Sequence, residues 1–230
     1  MKFCARRWTV VAGVIVSFLT LTNTTQASSS VEVDLLDTLS APASSGPPYA
    51  VFGLGFEPGQ SVAVSFTTPG NGFNDVWNIT SIKTSLSSPF FPVTLDLGLM
   101  ADDNGHPSGT FLASATITAS FDPVTLASPD WSIDGGAKYW LVAIAHSDDP
   151  FAVIDAQWVG SQIQGTFAFT SGDAGTWMTQ SGDLPGALIT GFETPLPGAL
   201  VLFASGLGGI GVFGVRGRKK APPAGLMRST

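Results

Sequence analysis

SVAVSFTT, residues 61–68, decides the fold. Val62, Val64 and Phe66 alternate with Ser61, Ala63 and Ser65, a period of two that belongs to a strand with one buried face. An amphipathic helix would repeat its apolar positions every three to four residues instead. Other runs repeat the pattern on either side. Val31–Leu35, Trp77–Leu86, Val93–Met100, Phe111–Ala119, Lys138–His146, Val153–Val159 and Ile163–Thr170 are short and rich in Val, Ile, Thr and aromatics. Each is bounded by turn residues such as Pro69-Gly70-Asn71-Gly72, Asp102-Asp103-Asn104-Gly105 or Asp134-Gly135-Gly136. KYWLVAIA, residues 138–145, is the most apolar run, which places Trp140 in the core, and the phase of Trp158 with Ile154 and Ala156 does the same.

No amphipathic helix of three turns is found between the termini. Eight to ten strands with turns every eight to twelve residues predict an all-β fold, a single antiparallel β-sandwich or jelly roll. Residues 49–192 are expected to form it. Residues 28–48 hold an N-terminal strand and a Ser/Pro-rich linker (SAPASSGPP, 40–48), and 182–191 lead towards the tail.

The two ends read differently. Lys2, Arg6 and Arg7 precede an uncharged apolar run from Trp8 to Leu21, and small and polar residues follow as far as Ala27. This is the form of a secretory signal peptide, residues 1–27, cut by signal peptidase after Ala27. Cys4, the one cysteine of the chain, leaves with it, so the mature chain has no disulfide and no thiolate ligand.

At the other end, Gly198–Val215 is an uncharged run of apolar residues and glycine, followed by Arg216, Arg218, Lys219 and Lys220. Eighteen helical residues span about 27 Å, close to the roughly 30 Å of a hydrocarbon core. The basic cluster would keep the last residues, 221–230, in the cytoplasm and leave 28–194 outside. Glycines at 198, 206, 208, 209, 211 and 214 suit a span gripped closely by another membrane protein.

Between the two ends, residues 28–194 hold all seventeen acidic residues against two bases, Lys83 and Lys138, a formal charge of −15. Such a surface repels nucleic acid and anionic lipid, so neither is an expected partner. Cations, neutral glycans and other proteins are compatible with it.

Few residues suggest chemistry. No Gly-x-Ser-x-Gly elbow, His-Glu-x-x-His pair or phosphate-cradling loop occurs, and the expectation is a protein that is not an enzyme. His106 lies in a turn, and His146 stands beside Ser147-Asp148-Asp149 without a spacing that defines a site. A glycoside hydrolase stays as a remote alternative, since that chemistry needs only two carboxylates placed by the fold. Asp102, Asp103 and Asn104 carry two readings: oxygen ligands for a calcium ion, the one cofactor considered, or the Asp-Asn-Gly of a tight turn. The alternative to a purely structural role is a carbohydrate-binding module. It would use that calcium-bridged loop or exposed tryptophans, of which Trp77 and Trp131, bordering polar loops, are the candidates for stacking on a sugar ring.

Thr194-Pro195-Leu196-Pro197, then LFASGLGGIG at 202–211, then the basic cluster, resemble the PEP-CTERM sorting tail of Gram-negative bacteria. The resemblance covers residues 193–220 and keeps all three parts in order. Leu196 stands where the eponymous motif has glutamate, and ten residues extend beyond the cluster. The resemblance implies recognition by an exosortase in the inner membrane and processing near Pro195, Leu196 and Pro197. The domain would then be released or transferred to the cell envelope, cell surface or extracellular space. It also implies an association with exopolysaccharide and biofilm. SVAVSFTT, LGLMADDNGHPSGTFL (97–112), IDGGAKYWLV (133–142) and Gln157-Trp158 are similar to the choice-of-anchor R domain. That family implies a surface-displayed β-sandwich and no catalytic residues.

Overall fold

A computed structural model describes residues 31–54, 57–70, 75–145, 153–170 and 176–194. These residues are all-β. The strands are β1 (Val33–Asp37), β2 (Tyr49–Leu54), β3 (Glu57–Gln60), β4 (Val62–Thr67), β5 (Val76–Thr84), β6 (Leu86–Ser87) and β7 (Val93–Asp103). They continue as β8 (His106–Ala119), β9 (Val124–Asp134), β10 (Lys138–Ala145), β11 (Val153–Trp158), β12 (Gly160–Thr170), β13 (Trp177–Pro185) and β14 (Ala187–Thr194). Three antiparallel sheets result, in the orders β1-β14-β5-β9, β13-β12-β4-β10-β7-β8 and β3-β2-β11-β6.

The period of two in each strand builds the core. Val62, Val64 and Phe66 of β4, Leu95, Leu97 and Leu99 of β7, and Leu141 of β10 line one face of the six-stranded sheet. They share a buried cluster with Ile79, Ile82, Trp131 and Ile189 of the first sheet and with Val51, Ile154 and Trp158 of the third. The opposite face of the six-stranded sheet is also buried. Ala63, Met100, Trp140, Val142 and Ala168 form a second cluster there, with Phe111 and Trp177 packed against it.

The edge strands β13 and β8 come within 8 Å of each other between Cα atoms, so the sheet rolls around this second cluster. Strands buried on both faces lose the alternation of a half-buried strand and become continuously apolar. KYWLVAIA is such a strand. Ala63, on the face that the alternation of residues 61–66 assigns to solvent, is fully buried for the same reason.

Gly98 on β7 makes the roll possible. A Cβ there would lie 2.5 Å from the Ala113 carbonyl oxygen and 2.6 Å from the Phe111 ring. The ring therefore lies over the strand only because residue 98 has no side chain. Gly98→Ala is expected to cost about 1–3 kcal/mol, the usual range for overpacking, because the carbonyl belongs to a paired strand and yields little. Urea unfolding checks this; an unchanged midpoint would mean that β8 shifts freely.

Two expectations are corrected. Residues 182–191 are not a lead into the tail: they complete β13 and form β14, which pairs with β1 on one side and β5 on the other. The folded unit also begins before residue 49, because β1 belongs to the first sheet. Thr38 fixes that corner. Its hydroxyl, 1 % exposed, donates to the carbonyl oxygens of Pro185 (2.8 Å) and Ala187 (3.1 Å), and accepts from the Ala187 N–H at 2.7 Å.

Candidate functional site

The turn at 102–105 joins β7 to β8. Asn104 has φ 53° and Gly105 φ 91°, left-handed values that Asn and Gly tolerate best. Asp102 faces back onto the sheet rather than outward. Its Oδ1 accepts from Trp140 Nε1 at 2.8 Å and lies 3.0 Å from Lys138 Nζ, while Oδ2 accepts from the Gly105 N–H at 3.0 Å. The Lys138 ammonium sits 4.7 Å from the centre of the Trp140 ring, a cation–π geometry. Both oxygens of Asp102 are thus committed to this chain's own donors, and calcium there would have to displace an ammonium. The turn reading accounts for the local contacts, the Gly105 N–H on Asp102 Oδ2 and Asn104 Nδ2 on Asp103 Oδ1 at 2.9 Å. Among the described residues no group of three or more His, Cys, Asp or Glu side chains is placed to hold a metal.

Burial pushes the Asp102 carboxyl up, but Lys138, Trp140 and the Gly105 N–H outweigh it and hold the group below the usual carboxylate range. A depressed folded value gives stability that is present above the unfolded value and lost as pH falls through the folded one. Asp102→Asn is therefore expected to cost about 1–3 kcal/mol at pH 7. The loss of melting temperature on acidification below about pH 4 should be shallower in this variant than in the parent. Parallel slopes in thermal melts across that window would remove Asp102 from the acid response.

Trp77 and Trp131 offer no face to a sugar. They are 6 % and 8 % exposed, both rings belong to the main core, and Trp77 Nε1 donates to the Pro69 carbonyl at 2.9 Å. The sequence placed them beside polar loops, but β5 and β9 pair so that both rings turn inward.

A cleft that the sequence did not announce lies between β2, β12, β13 and the segment expected as a linker. Its volume is about 430 Å³, and Ser44, Tyr49, Gln60, Phe169, Gln180 and Asp183 are among its lining residues. The Ser/Pro-rich segment is bound to β12: the Ser44 N–H donates to the Gly160 carbonyl (2.8 Å) and the Gln162 N–H to the Pro42 carbonyl (3.0 Å). Residues 42–47 therefore make a wall. The Tyr49 ring lies 4.8 Å from Phe167, and Phe167 6.2 Å from Phe169, each pair tilted.

Asp183 organises the polar side. Its carboxylate accepts from the Ser44 hydroxyl and the Gln164 amide, and its carbonyl accepts from the Tyr49 phenol. Burial, and secondarily the Asp183 charge, push the phenol above its ordinary value, so it remains a donor. Asp183 is the one carboxylate among the lining residues, whereas glycosidase chemistry takes two facing each other.

His106 heads β8, with its Nδ1 buried and without a partner among the described residues. His146, Ala27, the proline motif Pro195–Pro197, the segment 198–215 and Arg216, Arg218, Lys219 and Lys220 lie outside the described residues. Among those described, no helix is long and apolar enough to cross a membrane. No family model, curated protein or solved structure matches the chain.

Proposed function

We propose that this chain is an exported, non-catalytic surface or extracellular-matrix protein of a Gram-negative bacterium. In this reading the three sheets are one antiparallel β-sandwich with a rolled outer layer. A signal peptide delivers it across the inner membrane, and an exosortase processes the tail. The observation that carries the reading is the order of parts after residue 193: proline motif, uncharged span, basic cluster. A charge of −15 over residues 28–194 and five bases after residue 215 support the same orientation, since the basic side of a span stays in the cytoplasm. The fold is compatible with it, because the described part of β14 runs to Thr194, next to the motif.

Mass spectrometry of the mature C-terminus, in hosts with and without an exosortase, tests this. The expected result is loss of Gly198–Thr230 in the first host and a membrane-retained, full-length tail in the second. An intact tail on all mature protein in both would overturn sorting and leave a plain single-span anchor.

A further inference from the structure

We propose that the cleft between Tyr49, Phe169 and Asp183 is a binding site for a neutral saccharide. The sorting reading neither requires nor supplies this activity.

Three features of the cleft point to that ligand. Its volume, about 430 Å³, falls in the range of small-ligand sites. Its apolar side is aromatic: Tyr49 and Phe169 are half-buried, and the more buried Phe167, also in the lining, contacts both. The C–H faces of a sugar ring pack on such surfaces, while its hydroxyls need groups that both donate and accept. The side-chain amides of Gln60 and Gln180 have those properties and no hydrogen-bond partner among the described residues. Asp183, fixed by Ser44 and Gln164, retains lone pairs that accept from hydroxyl donors.

Charge selects among ligands. Asp183 within the cleft, and the acidic surface around it, disfavour uronic acids and phosphosugars. An entirely apolar ligand would leave the amides and the carboxylate desolvated without partners. Gly182 keeps the aromatic side open: a Cβ at this position would lie 3.3 Å from the Phe167 ring, and its φ is not in the left-handed region. A side chain there would enter the cleft from edge strand β13 without backbone strain.

The test uses the full chain in a sugar-free zwitterionic detergent and saturation-transfer NMR with cellobiose, maltose, lactose and chitobiose, and with digalacturonate as the anionic counterpart. At least one neutral disaccharide should receive saturation, strongest at its ring C–H protons, and digalacturonate none. Gln180→Ala, an exposed position, should weaken binding about tenfold, the value of one good hydrogen bond to a desolvated group. Gly182→Val should abolish binding in a chain that still unfolds cooperatively: a β-branched residue suits a strand, and the 3.3 Å approach to Phe167 costs only part of the stability. Saturation of none of the neutral sugars, preference for digalacturonate, or undiminished binding by folded Gly182→Val would each overturn the proposal. Tail processing is untouched by every one of these outcomes.

Discussion

Trp158→Ala is expected to lower stability by about 3–5 kcal/mol, the range for removing a buried tryptophan, out of the roughly 5–15 kcal/mol available to a domain. The side chain is fully buried, and β11 pairs it with Tyr49 on one side and Leu86 on the other. Its Nε1 donates to the Gly186 carbonyl at 2.8 Å. That carbonyl lies between β13 and β14, where the chain passes from the six-stranded sheet to the first sheet, and it also accepts from the Ser85 N–H at 2.9 Å. Trp158 therefore ties the third sheet to the corner that joins the other two. Trp158→Phe separates the two contributions. It retains most of the apolar area and removes one hydrogen bond to a carbonyl that keeps another, so its cost should be about 1 kcal/mol. Urea unfolding monitored by far-ultraviolet circular dichroism checks both variants. Equal losses in the two would show that the corner depends on the indole N–H and not on the volume it fills.

The parts of this molecule that the sequence makes legible are those in which one strand carries its own pattern. Val62-Ala63-Val64 and Leu95, Leu97 and Leu99 announce strands because each alternates within six or seven residues. Asp102-Asp103-Asn104-Gly105 announces a turn because Asn and Gly meet its left-handed angles locally. Strand β9 is obscured by Ser128-Pro129-Asp130, which looks like punctuation. The strand continues through it as the edge of the first sheet, with Ser128 and Asp130 at positive φ and a register shift opposite Thr80. An edge position is where a sheet accepts such an interruption. Gly182, Pro185, Gly186 and Gly191 hide β13 and β14 in the same way. Gly186 and Gly191 are required by packing rather than by a turn: a Cβ at 186 would lie 2.6 Å from Ser85 Oγ, and one at 191 would lie 2.8 Å from the Asn78 carbonyl oxygen.

The cleft was illegible for a different reason. Ser44 and Asp183 are separated by 139 residues, and Ser, Gln and Phe in a strand-rich chain have no spacing that marks them as a site. Only the pairing of β12 with β13, and the binding of residues 42–47 to β12, bring them together. The committed oxygens of Asp102 show the same limit. A turn can be read locally, but its contacts with Lys138 and Trp140 follow from the register of β10 on β7.

A chain ending at Thr194 should unfold in one cooperative transition at the midpoint of the full-length domain, and a chain ending at Pro185 should not fold. The argument rests on where β14 lies. It is interior to the first sheet, paired along its length with β5 and over Leu188–Gly191 with β1, and carries Ala187 and Ile189 with no exposure to solvent. Deleting it exposes Ile82 and Leu35, takes the Ala187 carbonyl and N–H away from Thr38, and opens two strand edges where two ladders were filled. Burial of an Ile or Leu side chain contributes about 1.5–3 kcal/mol. Losing Ile189, uncovering Leu35 and Ile82, and orphaning buried backbone groups at about 1–3 kcal/mol each reaches the full stability of a domain. Circular dichroism, urea titration and limited proteolysis of the two truncations distinguish the outcomes. A cooperative transition in the chain ending at Pro185 would mean that β1 and β5 close the sheet without β14. If β14 is needed as argued, the proposed processing of the tail would have an upstream limit. A cut before Thr194 would remove part of an interior strand, whereas one at Pro195-Leu196-Pro197 would leave every described residue of the sheet in place.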